Sequence, residues 1–302
     1  MRKCFNISLL AAVMCLLAVS CGKDPMFEKG DYFCEDDHLV FFENGNNILF
    51  QWTVASLPDE QKEVILNILN NMVKVEGGTF MMGAQKTDST AANYDSQARN
   101  DENPVHKVTL SDFYLCRYEV TQKEWTVIMG DNKQFDPKMG QGDDYPVYNI
   151  SWSEAKTFIE RLNYFTGLEF ALPTEAQWEY AARGGNRSKS TTYSGDNDAD
   201  YVAWHSLNSN YSSHKVGLLQ PNELGLYDMS GNVWEWCRDG YGEYRAQEEM
   251  DPEAAAMNNK VLRGGSWCYM PDRCRVTQRE NYNKDASTAS YGFRLSLKYT
   301  ER

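Results

Sequence analysis

The stretch "YDMSGNVWEW", residues 227–236, has a Ser-Gly-Asn centre between the carboxylate residues Asp228 and Glu235. Serine, glycine and asparagine favour tight turns, whereas tryptophan favours a mostly buried position. One interpretation is therefore structural: Glu235 accepts hydrogen bonds from backbone amides, and Trp234 and Trp236 pack in the core. The sequence on either side decides whether the turn also has a chemical role.

Three helices are predicted upstream of this turn. Each begins with a capping box, in which a Ser or Thr is followed three residues later by Glu or Gln. The three pairs are Thr121 with Glu124, Ser151 with Glu154, and Thr174 with Gln177. Gly184 is placed to end the third helix, and the sequence after Gly185 has almost no helical periodicity. The pattern predicts a loop-dominated α+β domain.

Six phrases in the sequence carry a family resemblance when they are taken in order. They are "VEGGTFMMG" (75–83), "NPVHKVTLSDFYLCRYEVTQKEW" (103–125), "YPVYNISWSEAKTFIERLN" (145–163), "LPTEAQWEYAARGG" (172–185), "NELGLYDMSGNVWEWCRD" (222–239) and "VLRGGSW…YGFRL" (261–295). Together they resemble the formylglycine-generating enzyme, or sulfatase-modifying factor, family. The resemblance covers about residues 72–298 and implies a loop-rich, C-type-lectin-like α+β fold with few short helices and strands.

The N-terminus predicts export and lipid anchoring. A basic start precedes an apolar run from Phe5 to Val19, which has the length of a secretory signal and is too short to cross a bilayer. The run ends in "LLAVSC", which resembles a bacterial lipobox with Cys21 as the lipidated residue. We therefore expect a signal peptide at 1–20 and a protein held in the cell envelope, at the outer membrane, through its N-terminal lipid. The alternative is a buried helix that begins at residue 1.

The segments between the signal and the main domain differ in composition. Residues 21–37 are polar and acidic and predict a tether. Two apolar runs around Asn44-Gly45 then predict a hairpin, and a helix follows with Pro58 near its first turn. We therefore divide the chain into the signal, the tether, a small N-terminal hairpin and helix module at 38–71, and the domain at 72–298.

The overall charge excludes one class of partner. The net charge is −13, so the chain lacks the basic surface that nucleic acid phosphates require. The aromatic content of 13% is high and suits either binding surfaces or a core with little regular structure. We expect a protein, peptide or glycan ligand of unknown identity and no nucleic acid.

Two cysteines, Cys268 and Cys274, raise the question of enzymatic activity. Oxidases of the family resemble Gly-Gly-Ser-x-x-Cys-x4-Cys and bind copper through both thiolates, which suits a soft Cu(I) ion. In this sequence the first of those positions is Tyr269 and the second is Cys274, so Cys268 lies one residue early. Catalysis therefore stays open, with Cys274 and Cys268 as the candidate residues and copper as the cofactor only in that case. The alternatives are a disulfide between these two cysteines, or one between Cys237 and Cys274.

The resemblance also implies a structural calcium site at the opening stretch. The family's ligands correspond here to the side chain of Asp228, the carbonyl groups of Gly231 and Val233, and the side chain of Glu235. Calcium binds six to eight hard oxygen atoms, which two carboxylates, two carbonyls and water can supply.

Four functions remain possible from the sequence. The first is a non-catalytic or adapted recognition or scaffold protein, whose ligand-binding face lies in the Tyr-, Asn- and Ser-rich C-terminal stretch. The residues predicted for that face are Trp267, Tyr269, Arg273, Arg279, Asn281, Tyr282, Asn283 and Tyr291. The second is the copper-dependent oxidase, acting on exported sulfatases. The third is a hypervariable ligand-binding protein of a diversity-generating retroelement, and the fourth is a subunit of an envelope secretion machine.

Overall fold

A computed structural model describes residues 31–35, 38–43, 46–54, 56–131 and 133–299. The helices are α1 (Asp59–Asn70), α2 (Gln122–Met129), α3 (Trp152–Thr166), α4 (Glu175–Ala182) and α5 (Ala199–Val202). The strands are β1 (Asp31–Glu35), β2 (His38–Glu43), β3 (Asn46–Gln51), β4 (Met72–Val75), β5 (Gly78–Met82), β6 (His106–Leu110), β7 (Phe113–Cys116), β8 (Phe170–Ala171), β9 (Ala203–Trp204), β10 (Ser230–Gly231), β11 (Trp234–Gly240), β12 (Glu249–Met250), β13 (Asn259–Arg263), β14 (Arg279–Asn283), β15 (Tyr291–Gly292) and β16 (Ser296–Lys298). The predicted α+β class is confirmed: the helices are few and the strands are short.

The capping boxes form as predicted. Thr121, Ser151 and Thr174 each accept a hydrogen bond from the backbone amide three residues ahead, and the Glu or Gln at that position bonds back. Gly184 follows the end of α4 in a left-handed conformation, which is the expected stop. These short-range signals therefore set the start of α2, α3 and α4 and the end of α4.

The N-terminal segment differs from the prediction in one place. Strands β2 and β3 pair antiparallel as a hairpin, as expected. Strand β1 pairs with β2, so residues 31–35 are not part of a tether. Its sequence, Asp-Tyr-Phe-Cys-Glu, contains aromatic residues that favour strands, and their effect outweighs the acidic ends. The signal peptide, Cys21 and the rest of the predicted tether lie outside the described residues.

Helix α1 packs into the same core as the helices of the main domain. Its buried Val64, Ile65 and Ile68 belong to one apolar cluster with Trp125 of α2 and Phe158 of α3. Trp234 and Trp236 of β11 lie in that cluster as well. The helix therefore stabilises the domain by covering its core, whereas the boundary at residue 72 stays a prediction. Among the described residues, no helix combines the length and apolar character needed to cross a membrane.

The sheet that carries the C-terminal stretch has the strand order β14-β13-β11-β15. Strand β11 pairs antiparallel with β13 and parallel with β15, so the strand that follows the turn at 228–233 lies at the centre of the sheet. Strand β14 forms one edge and leaves its outer residues toward solvent. The predicted ligand-binding stretch and the predicted calcium turn are therefore parts of one structure.

Buried ion pairs fix the inner side of this sheet. The carboxylate of Glu175, at the start of α4, accepts hydrogen bonds from Arg263 of β13 at 2.8 Å and from Arg279 of β14 at 2.6 and 2.8 Å. Arg275 bonds both oxygens of the buried Glu102 at 2.7 and 2.9 Å. These arginines are almost fully buried, so each needs its carboxylate partner to offset the cost of removing its charge from water.

Candidate functional site

The turn at residues 228–233 has a tightly constrained backbone. Asp228, Gly231 and Asn232 all have positive φ angles, at 57°, 82° and 57°. A Cβ atom on Gly231 would lie 2.3 Å from the backbone oxygen of Trp204, so only glycine fits there. The turn is thereby held against β9, and the side chains of residues 228–235 point in fixed directions.

Glu235 is fully buried and paired with side chains. Its carboxylate accepts hydrogen bonds from Arg294 at 2.6 and 2.8 Å and from the Trp178 indole at 2.7 Å. This corrects the structural interpretation, in which backbone amides were the partners. Charged partners offset the desolvation of a buried carboxylate more effectively than neutral amides do.

Glu119 supplies the contact to backbone that was expected from Glu235. Its carboxylate accepts hydrogen bonds from the Val233 amide at 3.0 Å and from the Asn232 side chain at 2.6 Å. Burial raises the pKa of Glu119 well above its usual range, and the negative charges of Asp228 and Glu235 raise it further. Glu119 is not among the residues predicted from the sequence, where its only signal is a carboxylate next to the apolar Val120 in "RYEV".

Asp228 leaves one oxygen unused. Its Oδ2 accepts a hydrogen bond from the Gly217 amide at 2.7 Å, while Oδ1 is buried without a partner. Burial raises the pKa of this carboxyl group to about 6. The cluster thus brings three carboxyl groups, those of Glu119, Asp228 and Glu235, around the single guanidinium of Arg294.

Two of the predicted calcium ligands, Asp228 and Glu235, belong to this cluster. Asp228 and Glu235 lie near enough for their charges to interact, and the unpartnered Oδ1 is the kind of hard oxygen that calcium binds. Within the described ranges, no group of three or more His, Cys, Asp and Glu side chains is arranged to hold a metal. A calcium ion here would accordingly need the carbonyl oxygens of Gly231 and Val233 as well as the carboxylates.

The two cysteines lie in different environments. Cys268 is exposed, and its thiol is 3.4 Å from the Ser266 hydroxyl. Cys274 has no exposed surface and packs with Ala199, Ala203 and Tyr193. A Cβ atom on Gly265 would lie 2.6 Å from the Cys274 sulfur, so the backbone closes over the thiol.

The chemistry of the thiols follows from their burial. Desolvation raises the pKa of Cys274 to about 12, so the thiol is protonated at neutral pH. Cys116, Cys237, Cys268 and Cys274 are all free in the structure, and neither disulfide alternative is formed. A copper site with two thiolates does not fit these residues, because one sulfur faces solvent and the other is enclosed.

The predicted ligand-binding face divides into buried and accessible residues. Trp267, Arg279 and Tyr291 are buried, with 8%, 2% and 2% of their surface exposed, which corrects the prediction for these three. Trp267 and Tyr291 pack with core side chains, and Arg279 is held by Glu175. Tyr269, Arg273 and Asn281 are half-buried, and Tyr282 and Asn283 are exposed.

Aromatic contacts connect this face to the core. The ring of Tyr282 lies 5.5 Å from that of Tyr291, which in turn lies 5.4 Å from Trp236. Tyr269 meets Trp234 edge to face at 5.6 Å. Tyr269 and Tyr282 are therefore the accessible ends of two rigid aromatic rows that begin in the core.

A second loop, residues 205–211, extends the face beyond the predicted residues. The Ser206 amide donates a hydrogen bond to the Tyr269 carbonyl at 2.8 Å, and the Ser209 hydroxyl donates to the Trp267 carbonyl at 2.7 Å. The loop exposes Leu207 and Tyr211. The loop is not part of the predicted face, because "HSLNSNY" has the composition of an ordinary polar loop.

Comparison with known proteins supports the family that these features suggest. Chaperone protein LppX of Paenibacillus barcinonensis is 30% identical over 278 residues, covering 76% of this chain and 89% of LppX. The formylglycine-generating enzyme of Streptomyces coelicolor is 32% identical over 290 residues, covering 74% of this chain and 88% of the enzyme. Among solved structures, Treponema denticola variable protein 1 is similar with a TM-score of 0.64 and 28% identity, covering 76% of this chain and 95% of that protein.

The family assignment also includes helix α1. The model for the sulfatase-modifying factor enzyme 1-like domain matches residues 58–298 and so begins at Pro58, directly before α1. That start agrees with the packing of α1 in the core of the domain. The chain belongs to the family of sulfatase-modifying factor enzyme 1-like domains.

Proposed function

We propose that this protein is a non-catalytic recognition or scaffold member of its family, anchored in the cell envelope through a lipid on Cys21. The different environments of Cys268 and Cys274 carry the proposal. One thiol is exposed and the other is enclosed and protonated, so the pair does not form a two-thiolate metal site. The binding surface is the accessible part of the C-terminal stretch together with loop 205–211. Anchoring, envelope location and a protein, peptide or glycan ligand stay predictions.

A direct assay for the oxidase tests this proposal. The reduced protein, loaded with copper, is incubated with a Cys-x-Pro-x-Arg peptide, and the peptide cysteine is followed by mass spectrometry. We expect no conversion of that cysteine to an aldehyde, because Tyr269 stands where a catalytic thiol is needed. A catalytically active family member run in parallel is the positive control. Conversion that disappears in the Cys274→Ser variant would establish the oxidase instead.

A hypervariable ligand-binding protein is the second candidate. Its support is the similarity to Treponema denticola variable protein 1, which extends over 95% of that protein. Residues 267–291 contain both accessible positions and buried arginines, so substitutions there could alter a binding surface on a fixed support. A nearby near-copy of the coding sequence for 267–291, together with a reverse transcriptase gene, would distinguish this candidate from an invariant recognition protein.

We propose calcium as a structural cofactor at the turn of residues 228–235. Asp228, the carbonyl groups of Gly231 and Val233, and Glu235 would hold it. The bound ion would supply positive charge to a cluster in which carboxylates outnumber the guanidinium group of Arg294. The support is the unpartnered Oδ1 of the buried Asp228 and the presence of three buried carboxyl groups in one cluster.

Thermal unfolding with calcium or a chelator tests this cofactor. Calcium at a hundredfold excess over its dissociation constant should raise the Tm by about 5–10 °C. The Asp228→Asn variant should lose this response and unfold in chelator no earlier than the parent, because it lacks an unpaired buried charge. Asp143→Asn, at an exposed position, is the matched control and should respond like the parent. Equal Tm values for the parent with calcium and with chelator would contradict the proposal.

A further inference from the structure

Loop 205–211 and the C-terminal stretch are adjoining segments that both expose large apolar side chains. Leu207, Tyr211, Met270 and Tyr282 each have between 49% and 73% of their surface exposed. The Ser206 hydroxyl lies 3.4 Å from the Met270 sulfur, and the Ser206 amide bonds the Tyr269 carbonyl, so the two segments are adjacent. Single exposed apolar residues are ordinary, but a group of them on adjoining segments indicates an interaction surface. We call Leu207, Tyr211, Tyr269, Met270 and Tyr282 the aromatic face.

Carboxylates lie beside the aromatic face. Asp200 is bonded by the Asn208 side chain at 3.3 Å and contacts His205 at 2.9 Å, yet 70% of its side chain is exposed. Asp272 is also exposed and lies two residues after Met270.

Four cations near the C-terminal stretch are already engaged by other groups. Arg273 pairs with Glu280 at 2.6 Å, and Arg275 and Arg279 are buried in ion pairs. Lys260, which lies opposite Tyr282 in the β13–β14 pair, is buried and donates to the Arg238 carbonyl at 2.8 Å. Asp200 and Asp272 therefore add negative charge beside the aromatic face, and these four cations do not neutralise it.

We propose that the aromatic face binds a basic polypeptide segment, in which Lys or Arg residues alternate with apolar ones. Apolar side chains would lie on Leu207 and Met270, and the cations would meet the exposed tyrosine rings, Asp200 and Asp272. Tyrosine rings attract cations through their negative faces, and methionine adapts its shape to different apolar partners. Nucleic acid, an anionic membrane surface and a second copy of this chain all carry net negative charge and are disfavoured. This inference rests on the proposed recognition function and names the chemistry of its ligand.

Fluorescence anisotropy with designed peptides tests the inference on the full chain. The probe is a short fluorescein-labelled peptide that alternates arginine with leucine, and the comparison peptide has glutamate in place of every arginine. We expect the basic peptide to bind and the acidic one not to bind. The Asp200→Asn/Asp272→Asn variant should bind the basic peptide roughly tenfold more weakly, because two charge contacts are lost.

Two further variants identify the surface. Leu207→Ser/Met270→Ser should weaken binding by a similar factor while keeping the charge. Glu76→Gln/Glu160→Gln removes the same number of exposed carboxylates elsewhere and should bind like the parent. Thermal unfolding confirms that each variant is folded.

Three outcomes of the binding experiment would contradict the basic-peptide proposal without contradicting the proposed function. Preference for the acidic peptide, absence of any binding, or unchanged binding by Asp200→Asn/Asp272→Asn would overturn the inference. None of these results bears on the oxidase assay, which independently tests whether the protein is catalytic.

Discussion

Replacing Arg294 with methionine should lower the free energy of unfolding by about 3–5 kcal/mol. Arg294 is fully buried, and besides its two bonds to Glu235 it donates to the carbonyl groups of Cys116, Arg117 and Tyr227 at 2.8–3.1 Å. Methionine has a similar length but no donor and no charge. The substitution would leave Glu235 buried without its cation and would remove the hydrogen bonds that Arg294 donates to three carbonyl groups.

Urea denaturation measures this effect, with Arg245→Met as the matched control. Arg245 is exposed, so its replacement should change the free energy of unfolding by no more than about 0.5 kcal/mol. The double variant Arg294→Met/Glu235→Gln should recover part of the loss, because it no longer buries an unpaired carboxylate. If Arg294→Met lowers the free energy of unfolding by less than about 1 kcal/mol, the Arg294–Glu235 pair contributes little net stability and the prediction is wrong.

Glu175→Gln is the second substitution with a large expected effect. It should lower the free energy of unfolding by about 3 kcal/mol at neutral pH. Burial alone would raise the pKa of Glu175, but the guanidinium groups of Arg279 and Arg263 outweigh burial and lower the pKa to about 2. The native state thus holds this carboxylate ionised more strongly than the unfolded chain does. Its contribution is complete above the unfolded pKa of about 4.5 and is lost as the pH falls through about 2.

The pH dependence of the unfolding free energy distinguishes a loss of charge at Glu175 from a change in packing. Because glutamine does not titrate, the difference in unfolding free energy between parent and Glu175→Gln should be largest above pH 5 and should shrink toward pH 2. Glu253→Gln is the control, since Glu253 pairs with Arg238 at 3.1 Å but both side chains are more than a third exposed. Glu253→Gln should change the free energy of unfolding by no more than about 1 kcal/mol. A difference for Glu175→Gln that is constant with pH would point to altered packing and not to lost charge.

Local signals explain what the sequence could predict. Capping boxes at Thr121, Ser151 and Thr174 act over three residues, so the starts of their helices can be identified from the sequence alone. The Asn44-Gly45 hairpin is equally local, and strands β2 and β3 pair around it as expected.

Long-range partners could not be predicted in the same way. Glu119 reaches Val233 across 114 positions, and Arg294 reaches Glu235 across 59, so neither distance leaves a pattern in a short window of sequence. The burial of residues in the predicted ligand-binding face could not be predicted from the sequence either. Tyr282 and Tyr291 are the same residue type in the same polar stretch, and only their positions in the sheet expose one and bury the other.

The alternation between buried and accessible residues in the C-terminal stretch has a consequence for evolution. Arg275 and Arg279 are fixed by Glu102 and Glu175, whereas Met270, Tyr282 and Asn283 face solvent within the same stretch. Substitutions at the outer positions leave the ion pairs intact and should alter stability little. We therefore expect the outer positions to tolerate substitution without a compensating mutation elsewhere in the domain.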